Sequence, residues 1–132
     1  MSPPNVVGTW HLLDFVVTAS DGRAPRRPMG EDPHGLIIYG ADGWMSAVLS
    51  RRDRASLGKG SMERAHRAPS ASRAEAFNSY LSYAGRWRLD GAEVVHTLVM
   101  SMIPDIVGTE QRRTVDLQPD GTLVLHYTVQ DR

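Results

Sequence analysis

The sequence predicts an all-β fold: a single antiparallel up-and-down barrel of about eight strands with one short α-helix near an opening. Three observations carry this. Short runs rich in Val, Ile, Leu, Thr and aromatic residues fill the chain up to Ser50 and again from Arg86, which is the texture of strands. Tight-turn signals at Ala41-Asp42-Gly43, Asp90-Gly91 and Pro119-Asp120-Gly121 each separate two such runs, and Asp-Gly between apolar runs is a strong hairpin signal. A stretch almost free of large apolar side chains, Arg51 to Arg73, interrupts the pattern. Consecutive hairpins make a meander, and closing a meander into a barrel removes the unpaired edges that an open sheet must protect.

In chain order the expected strands are Val6 to Val17, Leu36 to Gly40, Trp44 to Ser50, Arg86 to Leu89, Val94 to Met102, Val107 to Leu117 and Leu123 to Val129. That is seven, and the longer ones can bend into two. Residues 51–71 read as a mobile basic loop and residues 72–84 as the helix. Ser72-Arg73-Ala74-Glu75 fits a capping box, in which the Ser hydroxyl and the Glu carboxylate each accept from the other's backbone N–H. Phe77, Tyr80, Leu81 and Ala84 follow at helical spacing, and Gly85 ends the run.

Composition bounds the rest. The chain has 132 residues, 41% of them hydrophobic, with 15 basic and 15 acidic side chains. One domain spanning 1–132 with a real core is expected. The absence of cysteine excludes thiol nucleophiles, Cys-ligated zinc and iron–sulfur clusters, and it fits a reducing compartment. Neutrality argues against nucleic acid and anionic membranes as partners. No apolar run approaches the roughly 20 residues of a membrane span. The opening MSPPNVVGTW lacks the pattern of a signal peptide, so the expected location is cytoplasmic. The neutral total is uneven: residues 51–73 hold seven basic and two acidic side chains, which leaves room for anions, or an acidic carrier protein, at one mouth of the barrel.

Turn geometry sets register, and register sets which side chains share a face. A two-residue Asp90-Gly91 turn places Leu89 opposite Ala92 and Trp87 opposite Val94, grouping Trp87 and Leu89 with Val94, His96, Leu98 and Met100. A three-residue Pro119-Asp120-Gly121 loop pairs Leu117 with Leu123, Val115 with Leu125 and Arg113 with Tyr127. A four-residue turn from Ile103 to Ile106 then sets His96 across from Arg113 and Leu98 across from Gln111. Glu110 and Arg112 point outward in this register, and one β-bulge would exchange them with Gln111 and Arg113.

The lumen is therefore apolar with a few polar groups. His96 is the candidate acid or base, since imidazole titrates near neutral pH and Arg113 beside it would keep it neutral. Arg113 is the candidate for steadying a carboxylate, enolate or phenolate. Tyr127 and Gln111 can orient a carbonyl. Tyr39, Trp44, Met45 and Met100 offer flat or adaptable apolar surface. Asp14 shares strand parity with Trp10 and would be a buried carboxylate with a raised pKa; a carboxylate–imidazole pair with His96 is one option, at a distance that the sequence does not set. The five histidines lie on separate segments with no paired ligand spacing, so no metal is expected. No G-x-G-x-x-G, Walker or G-x-S-x-G pattern occurs, so neither a nucleotide cofactor nor a nucleophilic hydrolase is expected.

Gly8-Thr9-Trp10 resembles the G-x-W of lipocalins, whose Trp plugs the closed end of the barrel under an Arg from a late strand; the resemblance implies a structural alternative for Arg113, a lid stacked on Trp10. Four blocks in order, GTWHLLDF, MGEDPHGLIIYGADGWMSAVL, FNSYLSYAGRW and VVHTLVMSMIPDIVGTEQRR, resemble the bacterial lipocalin-like domain family over almost the whole chain. That resemblance implies a closed antiparallel barrel with ligands in its lumen, serving as a carrier in some relatives and as a cyclase or isomerase in others. The favoured expectation is a cofactor-independent cyclase or isomerase acting on a hydrophobic, polyketide-like intermediate. His96 and Arg113 would be catalytic; Trp10, Asp14, Tyr39, Trp44, Trp87, Leu98, Met100, Gln111 and Tyr127 would bind the ligand. The alternative is a non-catalytic intracellular carrier or sequestering protein.

Overall fold

The computed structural model describes residues 4–128; Val129, the expected end of the last strand, lies outside them. Seven strands form one antiparallel meander, each hydrogen-bonded to its neighbours in sequence: β1 (Gly8–His11), β2 (His34–Tyr39), β3 (Trp44–Ser50), β4 (Tyr80–Asp90), β5 (Glu93–Ser101), β6 (Glu110–Leu117) and β7 (Leu123–His126). This is the all-β, up-and-down barrel class that the turn pattern predicts. Two helices, α1 (Met62–Ala65) and α2 (Ser70–Asn78), and a 3₁₀ turn at Pro104–Ile106 complete it.

Several expected elements change. β1 stops at His11 instead of running to Val17, and Val17 returns only as an isolated bridge to Arg26. Leu12, Leu13, Asp14, Phe15 and Val16 do not alternate, and Leu13 is left 76% exposed; a run without a period of two has no reason to stay in a half-buried sheet. The helix expected at 72–84 spans Ser70–Asn78, with Pro69 at its N-cap and no side-chain cap. Ser72 sits inside it, so the capping box does not form. From Tyr80 the chain is already β4, six residues before the expected Arg86, because aromatic and alternating residues gain more by pairing with β5 than by extending a helix with no buried residue. The segment expected as loop also contains α1, capped by Ser61 Oγ, which accepts from the Arg64 N–H at 3.2 Å.

Register explains which faces carry the chemistry. β6 and β7 pair as expected, Leu117 with Leu123 and Val115 with Leu125. The other two hairpins are each displaced by two residues. Asp90 pairs with Glu93, so the turn is Gly91-Ala92 with Gly91 at φ +61°, and Trp87 lies opposite His96. On the other side His96 lies opposite Gln111, and Arg113 opposite Val94. A displacement of two keeps these side chains on their faces. Gln111 and Arg113 therefore stay inward, and Glu110 and Arg112 outward.

The chain divides into two compact units, one holding residues 4–10, Ile37–Ala47 and 82–128, the other His11–Leu36 and Val48–Leu81. In the first, Val6, Tyr39, Met45, Ala47 and Val94 form a buried cluster with Trp10, Ile37, Trp87, Leu89, Val115, Leu123 and Leu125 packed against it. Val95, on the opposite face of β5, is also fully buried. Its cross-strand neighbours are Arg88 and Arg112, which are tied to Glu110 at 3.0 Å and to Asp90 at 2.9 Å; their alkyl stems are placed to cover it. In the second unit Leu12 N–H donates to the Gly35 carbonyl at 2.9 Å. Arg54 lies 4.9 Å from the Tyr80 ring centre and donates to Ser79 Oγ and the Ala76 carbonyl, both at 3.1 Å.

Candidate functional site

The polar centre of the first unit is a row of three strands. Trp87 on β4, His96 on β5 and Gln111 on β6 lie side by side on the core face, and Leu89, Val94 and Arg113 form the next row. His96 is fully buried. Its Nε2 lies 2.6 Å from the Tyr39 hydroxyl and its Nδ1 3.4 Å from the Tyr83 hydroxyl. Trp87 packs its ring edge-on against Tyr39 at 5.1 Å and anchors itself by donating Nε1–H to the Gly40 carbonyl at 2.8 Å.

Hydrogen-bond accounting assigns the protons. Tyr39 is 1% exposed, and its hydroxyl proton needs an acceptor; among the described residues His96 Nε2 is the one within reach. Tyr39 therefore donates to Nε2. A neutral imidazole then carries its single proton on Nδ1, which points at the Tyr83 oxygen. Burial, reinforced by the charge of Arg113, lowers the His96 pKa to about 4, so the ring is neutral at pH 7. Burial raises the pKa of Tyr39, with Tyr83 adding to the effect and Arg113 opposing it. Tyr83 is also pushed up by burial, and again Arg113 works against the rise. The result is a buried chain Tyr39–His96–Tyr83 under the field of one arginine.

The other expected residues divide. Leu98 is buried at 1% exposure. Gln111 donates Nε2–H to Thr109 Oγ1 at 2.9 Å. Arg113 does not cover Trp10: its guanidinium lies 4.0 Å from the centre of the Tyr127 ring, while Trp10 donates its indole N–H to the Val6 carbonyl at 2.8 Å. Three residues are not brought to this centre. Asp14 is exposed and bound to Arg27 at 3.0 Å, and that hydrogen bond holds its carboxyl below the usual range, the reverse of the expected rise. Trp44 is 44% exposed under the Arg86 guanidinium, and Met100 is 60% exposed; Met45 takes the buried place. Tyr83 was not expected. The signal for it is the period of two in Tyr83, Gly85, Trp87 and Leu89 leading into the turn.

In the second unit an open cleft of about 360 Å³ is lined by Pro28, Arg51, Asp53, Arg54, Glu75 and Asn78, among others. Its charges are mixed, with Arg51 paired to Asp53 at 2.9 Å. Among the described residues no group of three or more His, Asp or Glu side chains is placed to hold a metal ion, and no helix is long and apolar enough to cross a membrane.

The family model of the lipocalin-like domain matches residues 7–131. The chain belongs to this family. Lipocalin-like barrels are small-molecule-binding folds, in which the inward faces of the strands meet a hydrophobic ligand. No curated protein and no solved structure matches this lipocalin-like domain.

Proposed function

We propose that this lipocalin-like domain binds one small hydrophobic molecule carrying a polar or anionic group and promotes its cyclisation or isomerisation without a cofactor. The observation that supports this reading is the buried Tyr39–His96–Tyr83 chain, with a 2.6 Å bond at one end and a second phenol at the other. Tyr83 is the group to meet the ligand. In one concerted step its O–H passes a proton to a ligand carbonyl oxygen while its oxygen takes a proton from the α-carbon, and the partial negative charge that builds on the phenol oxygen is steadied by His96 Nδ1–H and by Arg113. Tyr83 is restored, and the ligand leaves as its enol, the carbon nucleophile that ring closure needs. A polyketide-like intermediate has carbonyls suited to this. The cysteine-free composition and the basic segment 51–73 support a cytoplasmic setting with delivery by an acidic carrier protein.

The expected result is that the protein accelerates α-proton exchange of a hydrophobic 1,3-diketone in D₂O, followed by NMR. Tyr83→Phe should lower that rate about 100-fold, the usual scale of a lost acid–base group, and His96→Gln and Arg113→Met should each lower it as well. Unchanged exchange in both His96→Gln and Arg113→Met would overturn the mechanism. A second reading, a carrier that releases its ligand unaltered, is favoured by one observation: His96 is fully buried with both ring nitrogens engaged. It requires tight binding with exchange at the solution rate.

A further inference from the structure

Arg113 is the single charged side chain in the two core-facing rows Trp87–His96–Gln111 and Leu89–Val94–Arg113. Its neighbour Arg112, on the opposite face, has three carboxylates within 3.7 Å, those of Asp90, Glu93 and Glu110. Arg113 has none among the described residues. Its Nη1–H donates to the Arg112 carbonyl at 3.0 Å, and its guanidinium carbon lies over the Tyr127 ring. Neither the rows nor the two phenols beside them supply a negative charge, since His96 is neutral and burial raises the pKa of both Tyr39 and Tyr83. A half-buried guanidinium without a counter-ion costs stability unless something brings one. Tyr127 is 43% exposed, so the cation sits beside an aromatic side chain that reaches solvent.

We propose that the ligand supplies a counter-ion to Arg113, and that the site takes a planar aromatic monoanion, its anionic oxygens on Arg113 and its ring against Tyr127. This rests on the binding reading above and narrows it from a polar to an anionic ligand. Guanidinium suits that task because its donors lie in one plane and can meet two oxygens at once.

Two dyes with the same ring system test it by fluorescence titration: 8-anilino-1-naphthalenesulfonate, which is anionic, and N-phenyl-1-naphthylamine, which is uncharged. The expected result is that the anion binds at least ~10-fold more tightly, a gap that shrinks with added salt. Arg113→Met should close the gap, whereas Arg112→Met, which removes the same charge from the outer face, should keep it. Equal affinity for both dyes in the unaltered protein overturns the anion site and leaves small-molecule binding standing. A preference for the anion that survives Arg113→Met overturns it too, by placing the anion elsewhere. If neither dye binds, this inference and the binding reading fall together.

Discussion

Acidification from pH 7.5 to about pH 4 is expected to remove about 3 kcal/mol of folding stability through His96 alone. In the unfolded chain the imidazole has its ordinary pKa of 6.5, and in the folded protein burial lowers it to about 4. Above pH 6.5 both states are neutral and the full stability is present. Between 6.5 and 4 the unfolded chain takes up a proton that the folded one refuses, so stability falls as the pH falls. The gap between the two values corresponds to about 3 kcal/mol. Urea unfolding followed at several pH values would show the decline, and His96→Gln should abolish it while lowering stability at pH 7.5. The carboxylates of Asp14, Asp53, Asp90 and Asp120 are held low by hydrogen bonds from arginines or from Thr122, so their losses come below the ordinary value of 3.8. A decline that persists between 6.5 and 4 in His96→Gln would show that another group is responsible.

Gly85→Ala is expected to destabilise the protein by about 3 kcal/mol, the upper end for overpacking against a neighbour that cannot yield. A methyl group at 85 would run into the Thr97 carbonyl oxygen and stand 2.9 Å from the Thr97 carbonyl carbon. Both are backbone atoms of the paired strand. The register between β4 and β5 shifts between Ala84 and Gly85, so the close approach lies at a bulge two residues from Tyr83. Forcing the strands apart there draws Tyr83 away from His96, and acid–base chemistry at Tyr83 should fall with stability. Gly121→Ala is the comparison: its methyl would meet open space, but its φ is +90°, so a cost of about 1 kcal/mol is expected. If Gly85→Ala shifts the urea midpoint no more than Gly121→Ala, the bulge tolerates a side chain and the close approach is not what holds it.

Much of the sheet was legible because hairpins write register into sequence. Pro119-Asp120-Gly121 places Leu117 opposite Leu123, and even the two hairpins displaced by two residues keep Trp87, His96, Gln111 and Arg113 on one face, since parity survives an even slip. Contacts between strands that are not neighbours are different. A turn relates β4 to β5 and β5 to β6, but nothing local relates Tyr39 on β2 to His96 on β5, so each was legible as an inward residue and their bond was not. Tyr83 was hidden for another reason. Ser72 and Glu75 satisfy a capping pattern, and Phe77, Tyr80 and Leu81 continue it, so the helix absorbed residues that the sheet takes. Asp14 failed by extrapolation: alternation from Trp10 holds only while β1 lasts, and β1 ends at His11.

The Tyr39–His96 bond joins residues 57 apart in the chain and strands three places apart in the meander. Each hairpin can zip from its own turn, but this link has to wait until the strands between are in place. Interactions absent from the transition state set how slowly a protein comes apart without changing how fast it forms. The same hydrogen bond that fixes the imidazole tautomer thus acts as a latch on the native lifetime, and loosening it should shorten that lifetime at an unchanged folding rate.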